Sequence, residues 1–144
     1  MTFCQARSAV AYSTEPAIDI SVEVKAPVSA VWLAWTTSDG ITSFFAPEAH
    51  IDAKPDGAFH VYMDPYGKPG LKGADTMQVL AVDPEKLLSF TWNAPPHLPQ
   101  ARAQRTVVIL RFVPAGDNTE LTLSHLGWGN SGEWPKARAY FEKA

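Results

Sequence analysis

At 144 residues, 46% hydrophobic and 19% charged, the chain has the size and composition of one globular domain, not of a disordered segment. A formal charge of −3 argues against nucleic acid as a partner, which calls for a basic face, and no apolar run approaches the roughly 18 residues of a membrane span. Cys4 is the only cysteine, which excludes an intrachain disulfide and a thiolate metal cluster and fits a reducing cytoplasm.

Residues 1–17 read as an N-terminal extension and 18–144 as a single domain. Ala9-Val10-Ala11 resembles a small-residue cleavage site, but Gln5, Arg7 and Ser8 interrupt the apolar stretch of roughly 7–15 residues that a secretory leader needs before it. No leader is expected. From Ile18 the pattern is strict: Ile18, Ile20, Val22 and Val24 alternate with Asp19, Ser21, Glu23 and Lys25, which predicts a half-buried strand. Pro27 ends it and suits the first turn of a helix. Val28, Val31, Trp32 and Trp35 then recur at three- and four-residue steps, one apolar helical face.

Ser38-Asp39-Gly40 is a turn, with Ser38 or Asp39 expected to cap a second short helix carrying Ile41, Phe44 and Phe45. Beyond Pro47 the texture changes to strands. Ala49–Ala53 and Ala58–Met63 flank the turn Lys54-Pro55-Asp56-Gly57. Pro65–Gly73 is a glycine- and proline-rich loop, Ala74–Val82 a longer strand, and Leu87–Asn93 a strand in which Leu88, Phe90 and Trp92 alternate with Ser89 and Thr91. Pro95, Pro96 and Pro99 keep Ala94–Ala103 out of any central strand. Arg105–Val113 and Thr119–His125 form a hairpin, with Leu121, Leu123 and His125 on one face. A closing helix over Ser131–Lys143 aligns Trp134, Ala137, Tyr140 and Phe141, with Ser131 as N-cap. This order predicts an α+β layer: an antiparallel sheet of about six strands with its helices on one face.

Several strings in this order resemble a known family: Val24–Trp35, Lys54–Val61 (KPDGAFHV), Val82–Trp92 (VDPEKLLSFTW), Thr119–Leu123 (TELTL) and His125–Trp134 (HLGWGNSGEW). Together they are similar to the activator of Hsp90 ATPase homologue 1-like (AHSA1-like) family of the START/Bet v 1-like (SRPBCC) superfamily. The resemblance implies a helix-grip fold, a curved antiparallel sheet of six to seven strands around a C-terminal helix. It also implies a cavity between them that in the superfamily takes lipids, hormones or polyketides, sometimes with catalysis. In the family the closing helix runs well past the tryptophan that Trp134 matches, whereas ten residues follow it here. A short helix with a more open cavity, a groove covered by a partner subunit, or a truncated chain would each account for that.

Gly127 to Gly132 spells G-x-G-x-x-G, but no second parallel strand and no acidic residue about 20 positions on can follow it, so a flexible corner is the better reading. His50, His60, His97 and His125 form no close ligand pair, so no metal and no cofactor is expected. Glu48, Asp64 and Asp75 read as turn or surface carboxylates, since burying an unpaired carboxylate is expensive. The twelve aromatic rings between Trp32 and Phe141 that fall on predicted inner faces exceed what a small core needs. Phe44, Phe45, Tyr62, Trp92, His125 and Trp128 are the expected lining of an apolar ligand pocket. The expected function is therefore binding of a small hydrophobic or aromatic ligand. Two alternatives stand beside it: an Hsp90 co-chaperone-like interaction module, and a cyclase or dehydratase with His125 as acid–base group. The partners expected are a small apolar ligand and, through the short last helix, a second copy of the chain; neither nucleic acid nor membrane is expected.

Overall fold

The computed structural model describes residues 15–143; residues 1–14, with Cys4 and most of the expected extension, lie outside the described residues, as does residue 144. Strand β1 (Ile18–Val24) forms where expected, with only its end residues Ile18 and Val24 partly buried. Helix α1 (Val28–Thr36) starts directly after Pro27 and buries Val31, with Trp32 and Trp35 packed on the core beside it. Helix α2 (Ser38–Thr42) is capped one residue earlier than expected: the Thr37 hydroxyl accepts from the Gly40 N–H at 2.9 Å. It ends before Phe44 and Phe45, which leave it on a turn and point different ways.

Strands β2 (Glu48–Ile51) and β3 (Phe59–Tyr62) pair antiparallel across the Lys54–Gly57 turn, with Asp56 at φ +64°. The single strand expected over 74–82 is broken into β4 (Gly73–Ala74) and β5 (Val79–Asp83). Strand β6 (Leu87–Trp92) is followed by a four-residue helix, α3 (Pro99–Arg102), that the proline-rich sequence did not suggest. Strands β7 (Thr106–Ala115) and β8 (Asn118–Leu126) form the hairpin, and only Gly116 and Asp117 lie between them, fewer than expected. Helix α4 (Trp134–Lys143) begins at Trp134 itself rather than directly after Ser131.

Five strands pair in the order β1-β8-β7-β6-β5 and three in the order β2-β3-β4. Backbone bonds join the two sets: Phe59 N–H donates to the Met77 carbonyl at 2.9 Å, and Val79 accepts from Asp56 and donates to Gly57. The strip from β4 into β5 is therefore one interrupted strand between β3 and β6, and the sheet is a continuous curved surface. This is the helix-grip architecture, α+β, with two short helices after the first strand. One cluster of buried side chains, centred on Ile41, Phe59, Met77, Leu88, Leu110 and Phe112, fills the inner face under α1 and α2. A second, around Trp128, Trp134, Ala137, Leu98 and Ala101, fixes α4 and α3 to the end of the sheet.

The face of β1 is less covered than its alternation suggests, with Ile20 and Val22 45% and 47% exposed. Seven extended residues span about 23 Å, whereas the ten residues of α4 span about 15 Å. Ile18 and Phe141 both pack against the Trp128 cluster, at the start of β1.

The break between β4 and β5 has a clear cause. Thr76 sits at φ +58°, and Asp75 turns its carboxylate inward, where it accepts from the N–H groups of Gly70, Lys72 and Gly73 at 2.9–3.1 Å. Arg102 from α3 meets it at 3.2 Å, both side chains only 10% exposed. Arg102 also donates to the carbonyls of Ala94, Gly70 and Gly73 at 2.7–2.8 Å. Burial lowers the Arg102 pKa from its ordinary value, with Asp75 opposing that shift. Asp75 is thus neither a surface carboxylate nor a free base. It is half of a buried ion pair that ties the 65–73 loop and the proline-rich segment to the sheet. Arg102→Ala leaves the buried Asp75 carboxylate without its counter-charge and the Ala94 and Gly70 carbonyls without this donor, and is expected to lower unfolding free energy by about 3 kcal/mol, measured by urea denaturation. Arg102→Lys is expected to recover little of it, because one ammonium cannot span four acceptors in a fixed fork.

Candidate functional site

A cleft of about 520 Å³ lies between the inner face of the sheet and α4. Its floor is built by strand register. Ile18 of β1 stands opposite His125 of β8, His125 opposite Val108 of β7, and Val108 opposite Phe90 of β6. All four line the cleft, so one imidazole interrupts a row of apolar side chains. The next row adds Leu123 and Ile20, and Trp92 extends the floor along β6. Trp35 and Phe45 come in from the α1–α2 side, and Tyr140 and Phe141 from α4. The mouth is rimmed by Met63, Leu71, Asp64 and Lys72, on the loop that Asp75 and Arg102 hold in place.

The aromatic wall is packed as a set. Phe59 stacks on Phe90 with centroids 3.8 Å apart, Trp92 lies edge-on to Phe90 at 5.9 Å, and Phe45 stacks on Trp92 at 6.0 Å. Trp35 meets Phe45 edge-on at 5.8 Å. Such pairs hold ring orientations as well as burying area, so the wall is preformed. Apolar side chains on the cleft stay open to solvent, Ile20, Met63, Leu71 and Tyr140 among them.

His125 is 5% exposed. Its Nε2 lies 2.7 Å from the Thr106 hydroxyl, and its ring packs against Trp128 at 4.4 Å and Phe141 at 4.8 Å. Desolvation pushes its pKa down to about 4, so the ring is neutral at pH 7. Asn93, also buried on the cleft, donates from Nδ2 to the Gly73 carbonyl at 3.1 Å.

Of the side chains expected to line a pocket, Phe45, Trp92 and His125 are on the cleft wall, and Phe44, Tyr62 and Trp128 are not. Phe44 is 54% exposed and packs on the outer edges of Trp35 and Phe45. Tyr62 follows the regular pleat of β3 to the opposite face from Phe59 and Val61, beside His50 and His60, with Lys72 over its ring. Trp128 is wholly buried behind His125, and its Nε1 donates to the His125 carbonyl at 2.8 Å. The sequence reading missed Ile18, Ile20, Val108 and Arg102. The first three continue the alternation and were readable from it; Arg102 carried no local signal.

The other candidates resolve structurally. Glu48 is on the surface, 2.9 Å from His50. Asp64 accepts from the Tyr66 N–H on the rim. Gly129 is a packing glycine, since a Cβ there would come within 2.1 Å of the Trp134 indole, and every strand pair is antiparallel. Among the described residues no three His, Cys, Asp or Glu side chains group to hold a metal, and no helix is long and apolar enough to cross a membrane.

Residues 25–143 match the family described as activator of Hsp90 ATPase homolog 1-like protein. The chain belongs to that family. Among solved structures it is similar to CalU16 from Micromonospora echinospora, 28% identical with TM-score 0.57 over 76% of this chain. It spans 57% of the CalU16 chain. PFC0360w, an Hsp90 activator from Plasmodium falciparum, is 15% identical with TM-score 0.61 over 83% of this chain and 79% of its own. The Aha1 dimer from Colwellia psychrerythraea is 16% identical with TM-score 0.63 over 85% and 84%. The last two share the fold. No curated protein matches the chain. The cleft occupies the position between sheet and last helix that the helix-grip fold provides for it.

The neutral state of His125 gives this AHSA1-like domain a definite pH dependence. The folded pKa lies below the ordinary 6.5, so the unfolded chain takes up the proton first as pH falls. The His125 contribution to stability is fully present above about pH 6.5 and is lost as pH drops toward 4. Urea unfolding is expected to cost about 2 kcal/mol less at pH 5 than at pH 7, and His125→Gln is expected to flatten most of that slope.

Proposed function

We propose that the protein binds a small hydrophobic or aromatic molecule in the cleft between its sheet and α4. The observation that carries this reading is the preformed aromatic wall of Trp35, Phe45, Phe90 and Trp92 facing a cleft of about 520 Å³. That size and lining suit a ligand anchored by few polar groups. Open apolar side chains around the mouth support it, because a ligand would cover them.

A second reading, an Hsp90 co-chaperone-like module, draws on the family's description and on the edge of β1, which no other described strand pairs and where Ile20 and Val22 are exposed. That same edge, together with the dimeric Colwellia relative, makes self-association part of the proposal. Stimulation of an Hsp90-type ATPase by the purified protein would favour this second reading.

The ligand reading predicts that N-phenyl-1-naphthylamine, a neutral fluorescent probe, binds the protein with one strong site. Trp92→Ala removes the ring stacked on Phe45 and is expected to weaken that binding about tenfold, with far-UV circular dichroism unchanged. Equal affinity in a folded variant would place the probe elsewhere and overturn the assignment.

A further inference from the structure

The hydrogen-bond inventory around His125 fixes which of its nitrogens carries the proton. Thr106 is 2% exposed, and its hydroxyl has one partner among the described residues, His125 Nε2 at 2.7 Å. A buried hydroxyl hydrogen must be donated somewhere, since leaving it unmade in a dry site carries the full desolvation cost. Nε2 is the acceptor on hand. It is therefore the bare nitrogen, and the ring proton of the neutral imidazole sits on Nδ1. The opposite tautomer would leave the Thr106 hydrogen and the Nδ1 lone pair both without partners.

Nδ1 itself has no hydrogen-bond partner among the described residues, and since no enclosed side-chain nitrogen or oxygen among them is left unpaired, Nδ1 is an atom open to the cleft that the side chain lines. Its aromatic neighbours do not satisfy it. The Trp128 N–H is already donated to the His125 carbonyl, and Phe141 offers only a ring. The floor thus presents one donor in a row of apolar side chains, Ile18, Val108 and Phe90. We propose that His125 donates through Nδ1–H to a neutral oxygen of the bound molecule, a ketone, quinone or ester carbonyl carried on an otherwise apolar, planar framework.

The acceptor is neutral because, among the described residues, the cleft has no cation free to meet an anion at its floor. The Arg102 guanidinium is engaged by Asp75 and by the carbonyls of Ala94, Gly70 and Gly73. Lys72 lies on the rim over the Tyr62 ring. A carboxylate pushed down to His125 would lose its water with no opposite charge to replace it. This assignment rests on the cleft being the ligand site and adds the polar feature the ligand must carry.

The test uses the full chain, uniformly labelled with nitrogen-15, and two planar probes, fluorenone and fluorene, which differ by a carbonyl in place of a methylene. Long-range proton–nitrogen correlation at pH 7 is expected to show His125 with a protonated Nδ1 and a bare Nε2. Fluorenone is expected to bind about three- to tenfold tighter than fluorene, the worth of one neutral hydrogen bond, and to move the Nδ1 resonance, which fluorene leaves in place. Thr106→Val, a near-isosteric change that frees the tautomer, is expected to shrink that preference. A proton on Nε2, or a charged ring, overturns the inference. Equal binding of the two probes within the cleft overturns the donor role and leaves the apolar cleft standing. Failure of both probes to bind overturns the inference together with the ligand reading beneath it.

Discussion

The Asp75–Arg102 pair is the constraint on which the cleft depends. One guanidinium collects a carboxylate and three backbone carbonyls from the 70–75 and 94 regions, and the carboxylate collects three N–H groups in return. Both segments are irregular backbone, and irregular backbone next to an apolar cavity needs its polar groups satisfied locally. The pair does that in one stroke. It interrupts the strip between β3 and β6, lets the sheet bend there, and holds the rim residues Leu71 and Lys72 over the mouth. Glu133 complements it from the other side, accepting from the Gln100 and Ala101 N–H groups at the start of α3. The proline-rich segment is thereby tied to the sheet at one end and to the base of α4 at the other.

What the pair leaves open is as informative as what it closes. The sheet presents more apolar and aromatic surface than α1, α2 and α4 cover, and the excess gathers along β1 and the cleft. Near the α4 end, Trp128 and Phe141 press on His125 from behind and above, exclude water from its ring and keep it neutral. A neutral, partly satisfied imidazole is a modest group. It orients a molecule rather than holding one by charge, which accords with a wall made chiefly of rings.

Much of this was legible in the sequence because it rests on local periodicity. Alternation located β1, β6, β7 and β8 and put Leu123, His125 and Trp92 on the inner face; three- and four-residue steps located α1 and α4. The misplacements come where that periodicity lapses. Past Leu126 the chain turns through Gly127 at φ +97°, and Trp128, expected on the cleft wall, is instead tucked beneath the floor. Phe44 and Phe45 fall on a turn after α2, so Phe45 reaches the cleft while Phe44 stays outside against it. Tyr62 obeys the pleat of β3, which carries it outward. Asp75 and Arg102 are 27 residues apart in sequence, and nothing local in either announces the other. The family resemblance conveyed the fold and the cavity, but not which side chains meet in it.

The most direct measurement is a crystal structure of the protein grown with N-phenyl-1-naphthylamine. The account predicts the probe lying within the cleft, its rings against Trp92 and Phe45 and its edge toward His125. A probe seated only on the outer face or along the β1 edge of the sheet, with the cleft holding solvent alone, would contradict it.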